Sequence, residues 1–232
     1  MDKILDLNKF DRIQLMSEFG LNTPYMTMAK RGRLGDLKKA YATFRKDRPK
    51  DLISIRTFVD DNIGVYHCPF YPFNKPQKAW ELGRQLNEKY HVIFAEGVNP
   101  ELTTLCGCIK IFPDRSLIPN ITMLRQYEQP IALFEFLAGP GTVRDMKTKP
   151  VATIPVLLHG HVMSTWYNHL EHFPIEINHT ICSGSDYFIN TLQKILRKVR
   201  KFPYAYKYIV EWGVSSKKIG KLKDHIIYWE VR

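Results

Sequence analysis

Residues 90–107, YHVIFAEGVNPELTTLCG, constrain the fold more than any other stretch of the chain. Residues 91–95 form an apolar, β-favouring run, Gly97 and Asn99-Pro100 interrupt it, and residues 102–112 resume a strand pattern in which only Lys110 is charged. The sequence therefore predicts strand, break, strand, with the carboxylates of Glu96 and Glu101 on either side of the break. Taken alone, the stretch reads first as an ordinary hairpin that turns at Asn-Pro and exposes both acids. The competing reading is a hinge. A buried strand opening into a polar break leaves backbone N–H and C=O groups beside apolar walls, which suits a flat heteroaromatic ring, and Glu101 then accepts from ribose hydroxyls.

With 232 residues and 44% hydrophobic side chains, the chain has enough apolar material for a sizeable core. Two lobes are expected, residues 1–97 and 98–232. No apolar run approaches the roughly 18 residues of a membrane span, and the opening residues lack the apolar segment of a signal peptide. A soluble, cytoplasmic protein is the expectation. Cys68, Cys106, Cys108 and Cys182 have neither a disulfide pattern nor metal-ligand spacing. They read as reduced core residues, with Cys106 and Cys108 on one strand face.

Periodicity predicts helices over residues 4–19, 34–45, 76–90, 162–172 and 186–201. Strands are expected over 25–28, 51–56, 117–124, 131–137, 151–158, 175–179, 206–214 and 225–231. The strand over 51–56 ends in Arg56, whose guanidinium needs solvent, a carboxylate or a ligand anion, so it reads equally as a phosphate binder or a salt-bridge partner. Each of the last two strands carries one acid among apolar neighbours, Glu211 and Glu230. Two carboxylates on adjacent strands repel unless a cation lies between them, and Mg²⁺ is commonly held by one or two carboxylates with substrate phosphates. This pair is the metal-site candidate; the plainer reading gives each acid a Lys or Arg partner.

The formal net charge of +11 gathers late in the chain. Arg197, Lys198, Arg200, Lys201 and Lys207 interleave with Tyr204 and Tyr206, a pattern suited to nucleotide phosphates, nucleic acid or an acidic protein, and equally to a solvated helix face. His159, His161, His169 and His172 offer a zinc-ligand spacing, although polar surface or core histidines are the commoner use of such residues.

The order of these features resembles the ATP-grasp fold. A helix carrying Lys9 runs into Gly20-Leu-Asn-Thr-Pro24, a strand ends in a cation, a hinge reads Glu-Gly-Val-Asn-Pro-Glu, and two acidic strands close the chain. The resemblance implies an α+β, two-lobed fold of antiparallel sheets and packed helices with a nucleotide cleft between the lobes. It also implies an ATP- and Mg²⁺-dependent, carbon–nitrogen bond-forming ligase that activates a carboxylate of an acidic small molecule or peptide as an acyl phosphate. Carried over residue by residue, it places Lys9 and Arg56 on phosphates, Glu96 and Val98 at the adenine hinge, Glu101 on ribose, and Glu211 and Glu230 on magnesium. Arg232 stands where the family has an asparagine, and Arg144, after Gly139-Pro140-Gly141, is a candidate for the transferred group and equally a surface cation. The chain looks like a reduced member without the usual N-terminal domain, and lacks a Gly/Ser-rich phosphate loop in residues 57–75. A basic nucleic-acid-binding or assembly protein that keeps the fold without its chemistry is the alternative expectation.

Overall fold

Asn8 sets the start of the first helix. Its backbone is extended and its side chain accepts from the Asp11 N–H at 3.0 Å, so α1 runs over Lys9–Glu18 rather than from residue 4. Gly20 ends it with a φ of 78°: the Gly20 N–H donates to Ser17 O and the Leu21 N–H to Met16 O, a left-handed stop that brings Leu21 and Met16 into the same core. The structure, a computed structural model, describes residues 4, 7–50, 52–59, 70–71, 74–112, 132–139, 141, 143, 146, 152–156, 186–216 and 225–231. Among the expected elements, those at 117–124, 162–172 and 175–179 lie outside the described residues.

Two antiparallel sheets organise these residues. The first has the order β1 (Met26–Ala29), β4 (His91–Glu96), β2 (Ile53–Phe58), β3 (Phe70–Tyr71). Helices α2 (Leu34–Asp47) and α3 (Pro76–Asn87) cover one of its faces, burying Leu37, Phe44 and Ala79 against Ile53, Ile55, Val92 and Phe94. Strand alternation then puts Ser54, Arg56, Phe58, Ile93 and Ala95 on the other face, where Phe10 of α1 packs against Phe58, Ile93 and Ala95.

The second sheet has the order β7 (Ala152–Val156), β6 (Ala132–Ala138), β5 (Thr103–Ile111), β8 (Val210–Ser215), β9 (Ile226–Val231). One face carries Leu105, Ile109, Phe134, Phe136, Trp212, Val214 and Tyr228, buried under Leu192, Ile195 and Val199 of α4 (Asp186–Val199) and under Met16 of α1. Helix α1 thus touches the cores of both sheets. At Gly107 the neighbouring strand comes so close that a Cβ would sit 2.1 Å from Glu135 O, which is why β5 needs a glycine where it crosses Phe136. The opposite face presents Cys106, Cys108, Glu135, Glu211, Gly213 and Glu230.

The hairpin reading of residues 90–107 is corrected here. Strand β4 pairs with β1 and β2 in the first sheet, β5 with β6 and β8 in the second, so residues 97–102 are a crossing between sheets. Local hydrogen bonds enforce the switch: the Gly97 N–H donates to Leu52 O, the Asn99 side chain accepts from the Glu101 N–H at 3.0 Å, and Pro100–Leu102 makes a 3₁₀ turn before β5 begins. Glu96 is also not exposed, at 1%. The α+β architecture of antiparallel sheets with packed helices is the one expected from the sequence.

Candidate functional site

Glu230 is the centre of a charged cluster drawn from α1, β2 and β9. It sits on β9, and its carboxylate lies 2.7 Å from the Lys9 ammonium at the start of α1, with both side chains about four-fifths covered (16% and 21% exposed). Burial pushes its pKa up, but the Lys9 ammonium, the hydrogen bond from it, and the Arg56 and Arg12 guanidiniums outweigh burial and hold the carboxyl below its usual range. That influence of Arg56 carries geometric information, because Arg56 belongs to β2 in the first sheet and Glu230 to β9 in the second. Arg56 thus lies near enough to Glu230 to act on its charge, and Lys9 of α1 pairs with the same carboxylate.

Arg56 Nε is buried and without a hydrogen-bond partner. Arg12, 9% exposed, is fixed by its Nε–H to Leu7 O at 2.9 Å and reaches Val231 O at 3.5 Å, next to Glu230. Glu211 lies directly opposite Glu230 in the β8–β9 register, about 4.5–5.5 Å away at the Cα level. One step along, a bulge between Glu211 and Trp212 releases Trp229 from the ladder. Its indole lies over Gly213, where a Cβ would come within 2.8 Å of the ring nitrogen. Gly213 leaves room for a flat aromatic surface beside the two acids.

Glu96 plays a different part from Arg56 although both flank the same strand pair. Its register partner is Ile53, on the helix-covered face, and its carboxylate accepts from the Arg48 Nε–H and from the Tyr25 N–H at 2.7 Å. Arg48 also lies over the Tyr25 ring at 4.4 Å, and the Tyr25 hydroxyl donates to Asp47 at 2.5 Å. Burial, then the hydrogen bond to the Asp47 carboxylate, push the Tyr25 phenol up to about 12. The Glu96 side chain thus closes the end of β4 and braces the hinge from behind. Val98 is buried within the crossing and Glu101 is exposed on its 3₁₀ turn.

The structure brings together Lys9, Arg56, Glu211 and Glu230, with Val98 and Glu101 on the crossing between the sheets. Arg144, Arg232 and the histidines at 159, 161, 169 and 172 lie outside the described residues. Among the described residues, no three His, Cys, Asp or Glu side chains gather as a metal site. Glu211 and Glu230 offer hard oxygen donors on adjacent strands, the donor type that a magnesium ion shared with phosphates takes, so they fit that group. Cys106 and Cys108 are reduced thiols buried on one strand face, as expected. Lys194, Arg197 and Lys198 project from the exposed side of α4, away from the core, and Arg200 is exposed just beyond its end. No helix among the described residues is long and apolar enough to cross a membrane.

Three residues escaped the sequence reading. Arg12 follows Lys9 by one helical turn, a spacing that places both on one face, and was legible in principle. Trp229 was not, because its exit toward the acids depends on a bulge that alternation does not reveal. Ser54, two residues before Arg56, is not legible either, because a serine in an apolar strand carries no local signal.

No family model and no curated protein matches the sequence. Solved structures do. D-cycloserine synthetase DcsG is similar over 98% of this chain and 62% of its own at 12% identity, with a TM-score of 0.49. D-alanyl-alanine synthetase A from Vibrio cholerae O1 is similar over 98% and 55% at 10% identity and 0.47. Macrocyclase MdnC from Microcystis aeruginosa, solved with its precursor peptide MdnA, is similar over 100% and 55% at 11% identity and 0.45. The chain spans about three fifths or less of the length of these proteins. At these identities the likeness is one of fold alone.

Proposed function

We propose that the space between the two sheets binds ATP with Mg²⁺ and that the chain is a ligase that activates a carboxylate as an acyl phosphate for attack by an amine. One observation carries this reading: Lys9 on α1, Arg56 on the first sheet and Glu230 on the second converge on one cluster, next to a crossing that runs between the sheets. Separate elements have no packing reason to aim three charged groups at the same spot, and the unpaired Arg56 Nε is a donor in need of an anion.

In this reading the nucleotide base rests against the main chain of residues 97–99 and the Trp229 indole, Glu101 reaches the ribose, and the phosphates meet Arg56 and Lys9. Glu211 and Glu230 would hold the magnesium ion, which when bound neutralises phosphate charge and orients the transferred group. Lys9 leaves Glu230 for the phosphates as the nucleotide enters, so the cleft exchanges one ion pair for another. A carboxylate oxygen of the substrate then attacks the γ-phosphorus and ADP leaves. The amine nitrogen attacks the acyl carbon, the C–O bond to phosphate breaks, a proton passes from nitrogen to the departing phosphate, and a C–N bond has formed. Catalysis of this kind is mostly positioning and charge neutralisation.

The nucleotide products formed with ATP, Mg²⁺ and mixed carboxylate and amine substrates test the chemistry. ADP and phosphate are expected in equal amounts; AMP and pyrophosphate would overturn the acyl-phosphate route.

A further inference from the structure

Ser54 is 2% exposed, and its hydroxyl has no hydrogen-bond partner. A buried hydroxyl in that state bears the full cost of leaving water, and such a group on an apolar strand calls for an explanation. Thr57, also unpartnered, lies on the alternate face, toward the helices. Ser54 instead shares its face with Arg56, about 6–7 Å along the strand, and Arg56 Nε is likewise buried and unpartnered. Two unpaired polar groups side by side on one face point to a ligand that spans both.

Register gives the direction in which that ligand runs. Ser54 pairs with Ala95, next to the residue that ends β4, whereas Arg56 pairs with Ile93, farther from the crossing. The second sheet repeats this order. Ser215 pairs with Thr103 where β5 leaves the crossing, Gly213 and the overlying Trp229 come next, and Glu211 and Glu230 lie beyond. A nucleotide with its phosphates at Arg56 and Glu230 brings its nucleoside end past Ser54. The other side chains of that face near the crossing, Ala95, Met26 and Ile93, are apolar and make no polar contacts of their own.

We propose that the Ser54 hydroxyl hydrogen-bonds the nucleoside part of the nucleotide and is a specificity-determining residue of this cleft. The proposal rests on the nucleotide reading above and adds to it a residue whose cost in the empty protein is offset only when ligand is bound. It follows that Ser54→Ala leaves the free protein as stable as the wild type or more so, because the variant deletes an unpaired polar group, yet weakens the nucleotide complex.

Calorimetric titration of wild type and Ser54→Ala with a non-hydrolysable ATP analogue and with tripolyphosphate, each with Mg²⁺, separates the possibilities, with thermal unfolding of both free proteins alongside. The expected result is an unchanged or raised Tm, a fall of about 3–10-fold in analogue affinity, the loss of one hydrogen bond, and unchanged tripolyphosphate affinity. Unchanged affinity for both ligands, an equal fall for both, or a lowered Tm of the free variant overturns the Ser54 assignment while leaving the nucleotide site standing. If the wild type binds neither probe, the nucleotide reading fails first and the assignment falls with it.

Discussion

Glu96→Ala is expected to lower unfolding free energy by about 3–5 kcal/mol, the range for removing one partner of a buried ion pair. The carboxylate is fully covered, and its loss takes the counterion from the Arg48 guanidinium, 13% exposed, and the acceptor from the Tyr25 N–H. Total stabilities of single domains run to about 5–15 kcal/mol, so such a change consumes a large share. Glu96→Gln keeps an acceptor for the Tyr25 N–H and is expected to cost less. Urea unfolding measures both. A shift below about 1 kcal/mol for the alanine variant would mean that the Arg48 pair contributes little and that the side chain is free for another role.

Glu230→Gln is expected to act on binding more than on the fold. In the empty protein the carboxylate is the anion for Lys9 and lies in the field of Arg12 and Arg56, and removing it sets those cations against one another. Partial exposure moderates the cost to about 1–3 kcal/mol. The same cations, freed of their counterion, become a better anion site. Magnesium-dependent nucleotide binding should be lost, while metal-free binding of tripolyphosphate holds or tightens. Titrations with and without Mg²⁺ check both arms, and a variant that keeps its metal dependence would remove Glu230 from the metal site. The lowered pKa gives a matching acid sensitivity. Its sign is that of a depressed carboxyl: the Lys9–Glu230 contribution is present above the ordinary glutamate range of about 4.3 and is lost as pH falls through the folded value.

Local chemistry explains which features were legible in the sequence. Glycine and Asn-Pro marked the crossing at residues 97–100, and apolar periodicity marked the elements around it, but pairing partners are long-range facts. Residues 91–96 and 103–111 are adjacent in sequence and would pair as a hairpin on local grounds alone; burial of Glu96 against Arg48 and the Asn99 turn send them to different sheets. Lys9 and Glu230 were both singled out, though their contact spans nearly the whole chain and no spacing rule reports it. The acid on the helix side of β4 was hidden for the opposite reason. A glutamate that ends an apolar strand looks the same in sequence whether it faces a ligand or a buried arginine, and only the register with Ile53 assigns it to the helix-covered face.

On the proposed reading, charged groups from two sheets and one helix form a single metal-assisted nucleotide site. Isothermal titration of the intact chain with a non-hydrolysable ATP analogue, first without and then with Mg²⁺, tests it most directly. Saturable one-to-one binding that tightens at least tenfold when the metal is added is the predicted result. The same analogue failing to bind, or binding equally well with the metal chelated, would contradict it.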